Sequence, residues 1–181
     1  WENSAIAHAQ LFAKTSEAPV NLYFQIPEIN LAHFNKLTTD FGMLQFSILN
    51  APDPSFGYTL DDNARALIAL CKHYQMTRNE EDLINIKIYL SFIGYCQQSG
   101  GDFLNYVDIE KNFTEQNYQV NLADANGRAI WAIGYVISLK SILPKELIEK
   151  AEYIYLKFKP QISKIHSTRA MAFIIKGIYN V

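Results

Sequence analysis

The chain has few of the residues that usually mark a chemical function. Only two of its 181 residues are cysteine, and Cys71 and Cys96 lie in apolar stretches without the paired spacing of a zinc ligand set or a redox motif. They read as two buried thiols in a reducing, cytoplasmic compartment. Neither sign of charge is in excess: 16 Lys and Arg stand against 18 Asp and Glu, a net charge of -2. That leaves no basic footprint for nucleic acid and no polybasic anchor for a membrane surface. Long hydrophobic runs are missing as well, since the longest, Ala129 to Ile137, is far too short to span a bilayer. No signal-peptide pattern opens the chain, and a start at Trp1 instead of Met is expected to be a boundary inside a longer protein. The four histidines, His8, His33, His73 and His166, are scattered, so surface or cap roles are expected instead of metal ligation. There is no nucleophile elbow, no Gly-rich phosphate loop and no dinucleotide fingerprint. No metal or cofactor is expected.

What the chain does have is aromatic side chains, with eleven Tyr and eleven Phe, and a repeated motif. The stretch Gly57-Tyr58-Thr59-Leu60-Asp61-Asp62-Asn63-Ala64-Arg65-Ala66 returns in part as Asp124-Ala125-Asn126-Gly127-Arg128-Ala129. Asp61, Asn63, Arg65 and Ala66 match Asp124, Asn126, Arg128 and Ala129. A shorter echo follows at Ser167-Thr168-Arg169-Ala170. Such internal similarity points to one supersecondary unit used more than once.

Periodicity fills in the rest. Residues 1–14 form a short helix, and residues 15–27, bounded by Pro19 and Pro27, form a linker. Pro27 opens a second helix reaching Leu37. Residues 38–60, broken by Gly42, Pro52, Pro54 and Gly57, read as an irregular loop. Asp61 is expected to cap a helix to Met76 that is apolar nearly all round, hence buried on most sides. An amphipathic helix from about Asn79 to Gln98 follows, with Leu83, Ile86, Leu90 and Ile93 on one stripe. The cycle then repeats: an irregular loop over 99–123, a buried helix from Asp124 to Lys140, and an amphipathic helix from Pro144 with Leu147, Ile148, Ala151, Ile154, Tyr155 and Phe158 on one face. A last helix spans Ser167 to Tyr179. This alternation predicts an all-α fold of helical hairpins in two layers, a partial or complete α/α toroid.

Chemically, Asp61 and Asp124 are at once helix caps and i,i+4 partners of Arg65 and Arg128. Both arginines fall in what reads as a first helical turn, where the macrodipole disfavours a cation, so each needs carboxylates or ligand oxygens nearby. The loops before them supply aromatic and amide groups, among them Phe41, Gln45, Phe46, Phe56, Tyr58, Phe103, Asn105 and Tyr106. Apolar ring faces, amides and carboxylates at one mouth suit a sugar. Glycoside cleavage would need two carboxylates about 5 to 5.5 Å or 6.5 to 9.5 Å apart. Asp61 or Asp62 with Asp124 is the candidate catalytic pair, with Asp102 and Asp40 as substitutes. Substrate-binding candidates are Gln45, Tyr58, Asn63, Arg65, Asp102, Asn105, Tyr106, Asn126, Arg128 and Arg169. Trp131, inside a buried helix, reads as core.

The runs Leu37 to Gly42, Gln45-Phe46-Ser47, Pro52-Asp53, Gly57 to Leu67, Asn105 to Asp108 and Asp124 to Ala129 resemble the helical region behind bacterial group 1 glycosyltransferases. The resemblance covers residues 28–181. Trp1 to Ala7 is similar to the last helix of a GT-B transferase domain. The likeness implies a six-hairpin-glycosidase-like α/α fold, a carbohydrate context and an upstream transferase domain as partner. It brings no catalytic residue set. The expected function is a carbohydrate-active domain that binds or processes an oligosaccharide or polysaccharide, with a non-catalytic scaffold or homo-oligomerisation module as the alternative.

Overall fold

A computed structural model describes residues 1–16 and 27–181. It divides into two compact units, Trp1–Leu31 and Ala32–Val181. The first carries helix α1 (Glu2–Thr15), none of whose residues is buried. Most of the expected linker at 15–27 lies outside the described residues.

The second unit is mostly helical. Its elements are α2 (Ala32–Leu37), β1 (Leu44–Ile48), β2 (Ala51–Thr59), α3 (Leu60–Thr77), α4 (Glu81–Cys96), β3 (Tyr106–Val107), α5 (Ala123–Ser138), α6 (Lys145–Phe158) and α7 (Thr168–Tyr179). Short 3-10 turns cover Glu115–Tyr118 and Lys159–Lys164. Helix α5 packs on α3, α6 and α7, while α4 packs on α3 and α6. The face forecast for α6 is the one that is buried: Leu147, Ile148, Ala151, Ile154, Tyr155 and Phe158. The Leu, Ile and Phe side chains among them each stabilise by about 1.5 to 3 kcal/mol when fully removed from water.

Three expectations need correction. The fold is not all-α, because residues 38–60 hold an antiparallel hairpin and β3 adds to it in the order β1-β2-β3. Pro52 and Pro54 read as breakers, yet over that length β2 pairs only with β1, so one edge is free and a missing N–H costs little there. The hairpin turns at Leu49, with φ 56°, and β2 bends at Gly57, with φ 62°, just before Tyr58 and Thr59 pair with β3. A Cβ at Gly57 would lie 2.2 Å from the Val107 carbonyl oxygen, which is why the strand carries glycine where β3 joins. Secondly, α2 begins at Ala32, not at Pro27.

Thirdly, neither aspartate is a cap. Thr59 caps α3, its Oγ1 accepting from the Asp62 N–H at 3.4 Å and donating to the Asp62 carboxylate at 2.5 Å. Asn105 completes that cap, since its Oδ1 accepts from the Asp61 N–H (3.1 Å) and its carbonyl from the Leu60 N–H (2.8 Å). Before α5, Asn121 Oδ1 accepts from the Ala123 N–H at 2.8 Å. Arg65 therefore sits in the second turn of α3, beyond the strongest reach of the helix dipole.

Candidate functional site

The two copies of the motif build the same clamp. Asn63 Nδ2 donates to the carbonyl oxygens of Thr59 (2.8 Å) and Met43 (3.2 Å), and its Oδ1 accepts from the Met43 N–H at 2.7 Å. Asn126 repeats this with Leu122 (3.0 Å) and Phe103 (2.9 Å), and accepts from the Phe103 N–H at 2.9 Å. A side-chain amide carries the donor and acceptor of a peptide group, so each asparagine pairs with the preceding loop as a neighbouring strand would. Both are buried, at 0% and 5% exposure, and both donors of each amide are used. These residues, expected to bind substrate, fasten a helix start to its lead-in loop. Asn117, which lies outside the repeated motif, does similar work: its Oδ1 accepts from the Asn105 and Tyr106 N–H groups and its Nδ2 donates to the Tyr106 and Thr114 carbonyls.

The charges do not repeat in this way. In the first copy, Arg65 Nη2 reaches Asp61 at 3.0 Å and Asp62 at 2.6 Å, the i,i+4 and i,i+3 pairs of one helix. In the second, Arg128 turns away from its own helix and its Nε lies 3.8 Å from Asp61 on α3. Asp124 is taken instead by Arg169 of α7, with the Ser167 hydroxyl donating to its other oxygen at 3.3 Å. The expected Asp124 to Arg128 pair is replaced by two pairs between helices, Arg128 of α5 with Asp61 of α3 and Arg169 of α7 with Asp124 of α5. The reason lies in the third echo: Ile165 stands where the first two copies have aspartate, so Arg169 has no acid of its own. Arg128 gains an aromatic partner as well, its guanidinium 4.6 Å from the centre of the Phe173 ring.

This network faces solvent. The carboxylates of Asp61, Asp62 and Asp124 are about a quarter exposed and Arg65 and Arg169 more so. Asn121, Asp124, Ser167 and Arg169 line a cavity of about 500 Å³. Asp102 lines a neighbouring cavity of about 320 Å³, which shares Asn121 and Ser167 and also touches Lys164 and His166. Asp102 and Asp124 thus line adjoining cavities, whereas among the described residues no ion pair connects Asp124 to Asp61 or Asp62, since Arg128 reaches only Asp61 and Arg169 only Asp124.

Other forecast residues are placed differently. Tyr58 is buried at 3% exposure, its hydroxyl 3.2 Å from Thr39 Oγ1 and its ring against Phe41 and Phe92. Phe103 is buried and stacked on Phe158. Neither offers a ring face to a sugar. Phe46 and Phe56 are exposed on the hairpin and pack on each other at 4.7 Å, while Gln45 and Tyr106 are half-buried on β1 and β3. Asp40 is exposed in the loop before β1.

The aromatic faces that do accompany the charges lie on the helices themselves. Between residues 125 and 137 of α5, every residue is buried except Arg128, Trp131 and Tyr135. That spacing of i, i+3 and i+7 draws one line along the helix. Trp131, expected in the core, is half-buried and stacks on Phe173 of α7 with centroids 5.7 Å apart and planes 8° from parallel. The run of apolar neighbours around Trp131 hid this, because the pattern there has no polar side to reveal an open face.

No protein-family model matches the chain, and no curated protein matches it. Among the described residues, no group of three or more His, Cys, Asp or Glu is placed to hold a metal ion, and no helix is long and apolar enough to cross a membrane.

Proposed function

We propose that residues 32–181 are a carbohydrate-active α/α domain that binds a glycan across the starts of α3, α5 and α7. The observation that carries this reading is the open line Arg128, Trp131, Tyr135 on an otherwise buried α5, met at one end by the Asp61, Asp62 and Arg65 cluster. Arg, Trp and Tyr are the residue types that dominate binding energy at recognition surfaces, and a sugar needs ring faces beside charged hydrogen-bonding groups. The row α3, α5, α7 backed by α4 and α6 is read as a segment of an α/α toroid, in keeping with the resemblance to the region behind group 1 glycosyltransferases. The partner is then a transferase domain whose glycan this surface holds, in a cytoplasmic setting.

Binding fits the geometry better than hydrolysis. A glycosidase acid needs a carboxyl kept protonated by an apolar pocket, and Asp61, Asp62 and Asp124 each face an arginine instead. A glycan array followed by hydrolysis assays tests this. Asp62→Asn and Asp124→Asn should remove binding while unfolding free energies stay within about 1 to 2 kcal/mol of the parent. Unchanged glycan binding in both variants sinks the site.

The alternative, a scaffold or dimerisation module, has one observation in its favour. Helix α7 exposes Met171, Ile175, Ile178 and Tyr179. Sedimentation at rising concentration tests it, a constant monomer mass counting against it.

A further inference from the structure

A third cavity, of about 350 Å³, lies further along the same helices, lined by Lys72 of α3, Trp131 and Tyr135 of α5, and Lys176 and Tyr179 of α7. Its size falls within the range of small-ligand pockets. It differs in charge from the cluster at the helix starts: no acidic residue lines it, and among the described residues neither Lys72 nor Lys176 has a carboxylate within ion-pair distance. Both ammonium groups lie instead against ring faces, Lys176 at 4.3 Å from the centre of Trp131 and Lys72 at 5.9 Å from that of Tyr135. Two cations from two helices that converge on a cavity without a carboxylate partner are left with their charge uncompensated. An anion is the complement they want. The two rings provide the other half of the recognition, flat apolar surface for a ligand ring.

We infer that this cavity is a subsite for an acidic sugar residue, its ring against Trp131 or Tyr135 and its anionic group between Lys72 and Lys176. The inference rests on the glycan reading above and extends it, since Phe173 joins Arg128 to Trp131 and so links the two patches in one continuous surface. A glycan lying along α5 would meet neutral-sugar contacts at the helix starts and acidic-sugar contacts here. The shared chemistry is a single anionic group on a sugar ring, carboxylate or phosphate.

The test uses a Trp1→Phe background, which leaves Trp131 as the chain's one tryptophan and makes its emission a local reporter. An oligohexuronate, a hexose 6-phosphate, a neutral oligosaccharide of equal length and a uridine nucleotide are titrated in turn. The expected result is a change in Trp131 emission with the oligohexuronate, a preference of roughly 10-fold over the neutral chain, and weakening as salt is raised. The hexose phosphate arm reports whether phosphate substitutes for carboxylate, and either acid binding better than the neutral sugar supports the subsite. Lys72→Gln with Lys176→Gln should bring acidic and neutral sugars to parity while neutral binding and the circular dichroism spectrum stay unchanged. Equal binding of acidic and neutral sugars by the parent chain overturns this inference and leaves the glycan reading standing. Binding of no saccharide overturns both, and tighter binding of the nucleotide than of any saccharide replaces the ligand class.

Discussion

The two junctions in the row of helices, α3 with α5 and α5 with α7, start from the same motif and are built differently. Where α3 has Ala64 and Cys71, α5 has Gly127 and Gly134 at the matching positions. A Cβ at Gly134 would lie 2.1 Å from the Gly177 carbonyl oxygen, and one at Gly127 would lie 2.8 Å from that of Ala170. The second junction is therefore a close backbone approach that the first does not require. Charge follows the same asymmetry: α3 pairs Arg65 within its own helix, whereas the later arginines reach back to the acid of the helix before. Only the asparagine clamp is identical in both. What is local in the motif repeats, and what crosses between helices has drifted. The invariant part thus reads as fold, and the varied, solvent-facing part is the surface proposed for recognition.

Copying the first junction into the second should have the largest effect. Gly134→Cys forces a side chain against the backbone of α7 and should destabilise by roughly 3 kcal/mol or prevent folding, measured by urea denaturation. A variant as stable as the parent would mean that α5 and α7 can move apart freely. Next come the clamps. Asn63→Ala and Asn126→Ala each strand two backbone groups of a lead-in loop, and each should cost about 2 to 3 kcal/mol in the same measurement. A marked difference between the two would break the equivalence of the copies.

The charged groups should behave in the opposite sense. Asp61→Asn and Asp124→Asn should change unfolding free energy by no more than about 1 to 2 kcal/mol, because Arg65 and Arg169 are exposed, the half-buried Arg128 keeps its contact with Phe173, and such pairs contribute little. A loss as large as that of the clamp variants would make the aspartates structural.

The smallest effect concerns Cys71, the counterpart of Gly134. Burial, with the nearby charge of Asp82, pushes its thiol up to about 12. The folded state thus favours the neutral thiol: its contribution to stability is complete below the ordinary thiol range near pH 9 and fades as pH rises through about 12. Iodoacetamide at pH 8.5 should leave Cys71 unlabelled in the folded chain and label it in urea, read by mass spectrometry.

Much of the fold was legible because it rests on periodicity. The buried face of α6, three of the four residues expected on the buried stripe of α4 and the start of α7 at the Ser167 cap follow from spacing within single helices. The hairpin was not, since Pro52, Pro54 and Gly57 break a strand pattern unless one knows that an edge is free there. At the site, the repeated Asp, Asn and Arg placed the helix starts two residues too late, with caps at Thr59 and Leu122 instead of the aspartates, and did not give the division of labour among them. That division depends on distances between helices, which one motif does not encode: Asn126 turns in to Phe103, and Arg128 turns out to Asp61. Trp131 and Tyr135 were hidden by apolar neighbours on the same helix.

The most direct test of the account is a calorimetric titration of the strongest glycan from an array into the parent chain, Asn126→Ser and Arg128→Gln. Arg128→Gln should weaken binding by roughly 10-fold or more with little change in melting temperature, while Asn126→Ser should lower the melting temperature and leave the affinity of the folded chain unchanged. Full affinity in Arg128→Gln would contradict the assignment of this surface to glycan recognition.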